Sequence, residues 1–164
     1  MKNIFGILIA ICIAQISFTQ ADSSMPVYLR FPTIPQFTIY RAADSSAFTR
    51  EDLQKRKSTI LIIFSPDCEH CQHETQELLA NIDRFKKAQI IMITYQPYQE
   101  MVQFYKDYKI ANFSQITMGR DTKFFFPIFF RVQNLPSIFV YNKKGEFKKA
   151  FEGSVKIDKI ADEL

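Results

Sequence analysis

Short apolar runs alternate along this chain with segments in which apolar residues recur every three or four positions. The first pattern predicts buried strands, and the second predicts helices that pack on one face. The predicted strands are residues 37–40, 60–64, 88–95, 115–118, 137–141 and 146–152. The last two flank the turn Asn142–Gly145 and should pair as an antiparallel hairpin, while Gly119–Asp121 predicts another turn. This alternation predicts an α/β fold.

The best-defined predicted helix follows the strand at 60–64. Apolar or small side chains there have helical spacing and predict one continuous buried face, formed by Cys71, Thr75, Leu78, Leu79, Ile82 and Phe85. Pro97 opens a second helix, and residues 157–164 predict a short final one. Residues 124–132 include five phenylalanines and Pro127. We interpret them as a short buried helix with a break, whose aromatic side chains belong to the core rather than to a partner surface.

The region before the strand at 60–64 is less regular. Residues 25–36 are rich in proline and are expected to be extended. Thr49 is followed three positions later by Asp52, which has the form of a capping box and predicts a helix of one or two turns.

Residues 1–21 have the order of a secretory signal peptide. Lys2 precedes an apolar stretch from Ile4 to Ile16, and small residues follow it, which predicts cleavage after Ala21 or slightly earlier. The stretch is short for a membrane span, and an uncleaved anchor is the alternative. Removal of the signal, which contains Cys12, leaves two cysteines and one predicted domain, residues 22–164. We therefore expect export, to the periplasm of a bacterium, without stable insertion in the membrane.

The charge pattern gives no sign of nucleic-acid binding. The chain has 21 basic and 17 acidic side chains, so loss of Lys2 leaves 20 against 17, a net charge of +3. Basic and acidic residues are interleaved. The two basic runs, residues 55–57 and 143–144, are interpreted as solvated loops.

The two remaining cysteines form the motif Cys68-Glu69-His70-Cys71, directly after a buried strand and at the start of a helix. Amide groups and the helix macrodipole stabilise a thiolate at this position, and the thiolate is the nucleophile of thiol–disulfide exchange. Cys68 lies in the first turn and should be the more exposed of the two, so we assign it the attack on substrate. Cys71 begins the buried face, so we assign it the resolution of the mixed disulfide.

Three charged or titratable neighbours could modify this chemistry. Glu74 lies one turn past Cys71 at the margin of the apolar face, where burial would raise its pKa and let it relay the proton of Cys71. His70 as a cation would stabilise the Cys68 thiolate, and Glu69 would oppose that charge. Alternatively, His70 and Glu69 are solvent-facing residues of the turn without a role.

The motif, with a proline ahead of the terminal hairpin, resembles the active-site pattern of the thioredoxin-like superfamily, and more closely its exported TlpA-like thiol–disulfide oxidoreductases. The resemblance covers about residues 34–153. It is carried by residues 64–71, by Leu135-Pro136-Ser137-Ile138-Phe139-Val140, and by an amino-terminal segment with Pro35-Gln36-Phe37-Thr38 and residues 49–53. Glu74 falls where that branch often has a buried acid.

The resemblance implies a thioredoxin fold, which is a central mixed β-sheet flanked by helices, here with an amino-terminal extension. It also implies that the Leu135–Pro136 bond is cis and that the Leu135 backbone lies beside the sulfurs and binds substrate peptide. The chain departs from the pattern in three ways. It has no tryptophan before the motif, Ile62 replaces a buried aspartate, and Gln76 replaces a helix-kinking proline.

These features predict an exported thiol–disulfide oxidoreductase that reduces, or less readily oxidises, cysteines of other exported proteins. No cofactor is expected, but a membrane electron donor is implied because an oxidising compartment would drain the dithiol. The alternatives are a metal-delivery protein and a non-catalytic thioredoxin-fold binding module. Gln72 follows the second cysteine, so the haem-attachment pattern fails. A metal site would need His70 and His73, yet His73 should face away from Cys71.

Overall fold

Seven strands form one mixed sheet. In this computed structural model the described residues are 25–164, and the predicted signal peptide lies outside them. The strands are β1 Thr38–Arg41, β2 Ala47–Thr49, β3 Ser58–Ile63, β4 Ala88–Thr94, β5 Ile116–Arg120, β6 Ser137–Tyr141 and β7 Phe147–Glu152. Their order across the sheet is β2-β1-β5-β4-β3-β6-β7.

Within residues 25–164, five helices accompany the sheet. They are α1 Val27–Arg30, α2 Glu69–Ala80, α3 Tyr98–Asp107, α4 Phe125–Phe130 and α5 Ile157–Ala161. Three short 3-10 turns, Arg50–Asp52, Ile82–Phe85 and Ile110–Asn112, precede β3, β4 and β5 respectively. No helix within the described part of the chain is long and apolar enough to cross a membrane.

The central strands β3, β4 and β5 are parallel, because each is linked to the next by a helical crossover. β6 runs antiparallel to β3, and β7 antiparallel to β6, as a hairpin requires. β1 pairs antiparallel with β5 and extends the sheet with β2. This architecture confirms the predicted mixed sheet flanked by helices, with an amino-terminal extension.

Alternate residues of the central strands face opposite sides of the sheet and form two cores. Ile60, Ile62 and Met92 belong to the core that also contains α2 and α3 residues. Leu61 and Ile93 belong to the other core, together with the phenylalanines of α4. All six residues of β3 and all seven of β4 are buried, so both strands are covered on each face.

The predicted continuous helix from residue 71 to residue 85 is broken. α2 ends at Ala80, and the Asn81 side chain donates a hydrogen bond to the Glu77 carbonyl at 2.9 Å. A 3-10 turn then carries the chain to Phe85, which is fully buried. The asparagine side chain satisfies a terminal helix carbonyl, which is why the α-helix stops there.

The predicted turn at Gly119–Asp121 is also corrected. Gly119 and Arg120 belong to β5, where they pair with Arg41 and Tyr40 of β1. A Cβ at position 119 would lie 2.7 Å from Cδ1 of Ile39. Glycine is therefore present to allow close approach of β1, rather than to form a turn.

Two further expectations are corrected on the other face of the sheet. The segment 25–36 contains one helical turn, α1, which places Tyr28 against Phe139 with ring centroids 5.2 Å apart. α4 is unbroken because Pro127 lies in its first turn, where no intrahelical N–H is lost. The phenylalanines of residues 124–132 belong only in part to the core. Phe126 is buried, whereas Phe124, which precedes α4, is 47% exposed.

One buried polar side chain fixes the loop between the 3-10 turn at 50–52 and β3. The Gln89 amide oxygen accepts from the Gln54 amide at 2.8 Å, and its NH2 group donates to the Gln54 carbonyl at 3.1 Å and to the Thr59 hydroxyl at 3.0 Å. A side chain of β4 thereby holds the basic loop 55–57 in place.

Candidate active site

The site lies where β3 ends and α2 begins. Cys68 occupies the N-cap of α2, and its sulfur accepts a hydrogen bond from the Cys71 amide at 3.3 Å. The Cys68 amide donates to the Ser65 carbonyl at 3.2 Å, which closes the turn after the strand. The helix N-terminus therefore presents an amide to the Cys68 sulfur, the arrangement that stabilises a thiolate.

The two cysteines are free thiols in different surroundings. The Cys71 sulfur donates to the Cys68 sulfur, with 2.7 Å between the two atoms. Cys71 is 1% exposed, whereas Cys68 is partly exposed. Burial is the main cause that raises the pKa of Cys71, and the hydrogen bond to Cys68 adds to it. The arrangement supplies one accessible sulfur and one buried thiol that keeps its proton.

The backbone of the loop before β6 faces this pair. The Leu135–Pro136 bond is cis, as predicted, and the Leu135 carbonyl oxygen is 3.9 Å from the Cys68 sulfur. Pairing of Ser137 with Ile63 brings this loop to the end of β3. The Pro136 carbonyl is already occupied, because it accepts from Gly153 at 2.8 Å.

Glu74 is more deeply placed than the sequence indicated. It is 4% exposed, and its Oε2 accepts a hydrogen bond from the Val155 amide at 3.0 Å. Its Oε1 has no partner among the described residues. Burial raises the pKa of this carboxyl, and the Val155 hydrogen bond opposes that rise. Val155 could not be inferred from sequence, since it lies 81 positions away.

The residues between the cysteines point to solvent. Glu69 and His70 are both exposed, and His73 is exposed one turn later. Their influence on Cys68 stays a prediction. Within residues 25–164 no group of three or more His, Cys, Asp or Glu side chains is placed to hold a metal ion.

Sequence reasoning missed the side chains that hold the turn before the motif. Ser65 donates a hydrogen bond to the Asp67 carboxylate, and the Gln72 amide donates to the Pro66 carbonyl at 2.8 Å. Beside this turn a groove of about 740 Å³ extends to Phe104 and Tyr108 of the α3 region. Only the short Ser-Pro-Asp spacing could have indicated the first of these hydrogen bonds.

A dithiol at a helix N-terminus, facing a cis-proline loop at the end of a mixed sheet, defines the class of thioredoxin-like thiol–disulfide oxidoreductases. The sequence profile of the thioredoxin-like domain family matches residues 49–164. The chain belongs to this family, as the sequence resemblance predicted. No curated protein sequence matches it significantly.

Solved structures share the fold at low sequence identity. A putative thioredoxin from Neisseria meningitidis is 23% identical with a TM-score of 0.62, over 79% of this chain and 85% of that one. StoA from Bacillus subtilis is 19% identical with a TM-score of 0.59, over 80% and 98%. A secreted Mycobacterium tuberculosis disulfide oxidoreductase, homologous to Escherichia coli DsbE, is 18% identical with a TM-score of 0.62, over 78% and 93%.

Proposed function

We propose that the protein is an exported thiol–disulfide oxidoreductase that reduces disulfides of other exported proteins. One observation carries the proposal, namely the accessible Cys68 sulfur between the Cys71 thiol at 2.7 Å and the Leu135 carbonyl at 3.9 Å. The nucleophile, the resolving thiol and the backbone that is proposed to bind substrate peptide therefore lie next to one another.

The reaction follows from this geometry. The Cys68 thiolate attacks one sulfur of a substrate disulfide, and the other substrate sulfur leaves as a thiolate that takes up a proton. Cys71 then loses its proton and attacks the Cys68 sulfur. The bond between Cys68 and the substrate breaks, and the second substrate sulfur leaves as a thiolate that takes up a proton. The substrate gains two electrons and two protons, and the Cys68–Cys71 pair becomes a disulfide. Because burial raises the pKa of Cys71, a nearby base assists this second step, and Glu74 lies one helical turn away.

Substrate peptide binds in an extended conformation along the Leu135 backbone, because the Pro136 carbonyl is already paired with the Gly153 amide. The partly exposed Leu135 packs against the core that contains Cys71, and its carbonyl faces the nucleophile. The adjoining groove between the motif and α3 receives substrate side chains next to the cysteine under attack. A backbone-directed contact of this kind accepts many sequences.

The dithiol must be regenerated after each turnover. The proposed location is outside the cytoplasm, in the periplasm, where oxidation is favoured, so we assign regeneration to a membrane electron donor. The predicted signal peptide supports the location, and one structural neighbour is a secreted disulfide oxidoreductase. The direction of electron flow can be tested by measuring the reduction potential. A reduction potential of about −270 mV is typical of a reductant, and one of about −120 mV is typical of an oxidant.

The test is capture of the reaction intermediate. Cys71→Ser should accumulate a mixed disulfide with substrate through Cys68, because the resolving sulfur is gone. Cys68→Ser is the matched control and should accumulate none. In the reduced wild type, iodoacetamide should label Cys68 before Cys71, because Cys68 is the more exposed sulfur. Faster labelling of Cys71, or adducts in both variants, would contradict the assignment.

A further inference from the structure

Two basic runs that are far apart in sequence line one cavity. Residues 55–57, before β3, and residues 143–144, in the turn after β6, meet with Arg50 around a volume of about 550 Å³. We call this the basic cavity. Five of its six basic side chains are exposed, and Lys57 is half-buried. Glu51 is the one acid among the described residues that line it.

The basic cavity accounts for the positive charge of the chain. The sequence has 21 basic and 17 acidic residues. Setting aside the six basic residues and one acid of the cavity leaves 15 against 16. The ion pairs of Arg84, Lys86 and Lys148 lie outside the cavity. Among the described residues none of the six cavity cations forms an ion pair, and only Arg50 has the charge of Glu51 close by. The remaining field is positive and attracts anions.

The basic cavity and the dithiol lie at opposite ends of the same strands. Thr59, near the start of β3, lines the cavity, while Cys68 follows the end of β3. The β6–β7 turn adjoins the cavity, whereas β6 starts next to Pro136. Six strand residues span about 20 Å at about 3.3 Å each. A ligand in the cavity therefore leaves the Cys68 sulfur open to solution.

An exposed aromatic residue lies on the chain segment that enters the cavity wall. Phe31 is 59% exposed and comes two residues before Thr33, which lines the cavity. The Arg30 guanidinium is 5.7 Å from the centre of the Phe31 ring. The segment is fixed to the hairpin turn, since Ile34 donates to the Gly145 carbonyl at 3.0 Å. Clustered cations, with an exposed aromatic ring on the adjoining chain segment, suit a membrane interface, where phosphates and acyl chains meet.

We propose that the basic cavity docks the protein on the phosphate headgroups of an anionic lipid bilayer, with the dithiol facing away from the membrane. Arginine binds phosphate oxygens through paired N–H groups, and lysine acts as a mobile point charge. The cavity contains both kinds of donor. Phe31 enters the interfacial region beside them. This docking is peripheral and reversible, and it does not depend on the proposed redox activity.

The test is co-sedimentation of the exported, processed protein with vesicles. Binding to vesicles of phosphatidylcholine with 30% phosphatidylglycerol should exceed binding to pure phosphatidylcholine and should fall as salt is raised. Lys143→Ala/Lys144→Ala should bind the anionic vesicles about 25-fold more weakly, because each cation near such a surface contributes about fivefold. Phe31→Ala should weaken binding further, and this loss should persist at high salt.

The matched control removes the same charge elsewhere. Lys149→Ala/Lys159→Ala changes two exposed lysines outside the cavity and should bind within about twofold of the wild type. All variants share one amino terminus, verified by mass spectrometry, so residues 1–24 contribute equally. An equal loss in both double variants would overturn the proposal, as would equal binding to the two vesicle types. Inorganic phosphate or a DNA duplex that binds the wild type as tightly as the vesicles would also overturn it.

The orientation has its own readout. A charged maleimide that cannot enter the bilayer should label Cys68 at the same rate with and without bound anionic vesicles. Protection of Cys68 by vesicles would place the dithiol at the membrane and refute the proposed orientation. This measurement uses thiol accessibility alone, so a failure of the redox proposal would not affect it.

Discussion

At the scale of single residues, the sequence predicted side-chain exposures that follow from the helical period. It missed contacts with residues that are distant in sequence. The different exposures of Cys68 and Cys71 follow from their places at the start of α2, because Cys68 is the N-cap and Cys71 begins the apolar face of the helix. The place of Glu74 at the margin of the apolar face follows in the same way. Its nearly complete burial and its hydrogen bond to Val155 do not, because the chain after β7 must return beside α2 before the two groups meet.

The buried carboxyl of Glu74 should make stability depend on pH. Its folded-state pKa lies above its ordinary value of 4.5, so its stabilising contribution is complete below that value and is lost as pH rises through the folded-state pKa. Glu74→Gln stays uncharged and avoids this loss. The unfolding free energy of the wild type, measured with urea, should therefore fall relative to Glu74→Gln between pH 4 and pH 7. A constant difference across that range would contradict the argument.

The same substitution should affect the redox reaction. Without a carboxylate near Cys71, exchange should slow by about tenfold and its pH dependence should flatten. Asp83→Asn is the control, because that exposed carboxyl lies in the 3-10 turn after α2 and does not contribute to the raised pKa of Glu74. An unchanged pH–rate profile in Glu74→Gln would leave the residue with a purely structural contact to Val155.

At the scale of elements, the positions of the strands and of the longer helices were predictable from the sequence. The exact ends of helices and the one-turn helices were not. Apolar periodicity located β3, β4, β6 and α3 because their burial is regular. It could not show that the Asn81 side chain would satisfy a carbonyl of α2, nor that Pro26 would open a turn of helix. Glycine at position 119 was ambiguous, because the same residue type serves a turn or a close strand approach.

The close approach at Gly119 should be measurable. Gly119→Ala places a methyl group 2.7 Å from Ile39 Cδ1 and 3.1 Å from the Tyr40 carbonyl oxygen, so we expect a loss of about 1–3 kcal/mol of unfolding free energy. Ile39→Ala removes both side-chain carbons that crowd this position, Cδ1 at 2.7 Å and Cγ1 at 2.9 Å, and alone should cost about 2–5 kcal/mol. The double variant should lose less than the sum of the two, as measured by chemical denaturation. Additive losses would show that Ile39 is not the obstacle.

At the scale of the whole molecule, the alternation of strands and helices predicted an α/β fold, and the family resemblance implied the central mixed sheet that the structure has. The resemblance supplied the cis-proline loop, which residue patterns alone would have left in the trans form. The gathering of the two basic runs was not foreseen. Each run resembles an ordinary surface loop, and only the pairing of β6 with β3 brings them to one cavity.

The dithiol is expected to contribute little to holding the fold together. The loop between Cys68 and Cys71 is short, so its closure removes little entropy from the unfolded chain. Cys71 is one of many buried residues in its core, and the other core contains neither cysteine. Cys68→Ser/Cys71→Ser should therefore keep a cooperative thermal transition while losing all insulin-reducing activity. A variant that fails to fold, or one that still reduces insulin, would contradict the enzymatic assignment.

The hydrogen bonds of the Gln89 side chain restrict substitution at position 89 but not at position 54. Its amide oxygen accepts from the Gln54 backbone, and its NH2 group donates to the Gln54 carbonyl and the Thr59 hydroxyl. A glutamate at this position could not donate these hydrogen bonds, and an aliphatic residue would leave the polar groups of the Gln54 backbone without their partner. The Gln54 side chain is exposed, and the contact uses only its backbone. Position 54 is thus free to vary over evolutionary time, whereas position 89, in an otherwise largely apolar buried strand, is restricted to an amide.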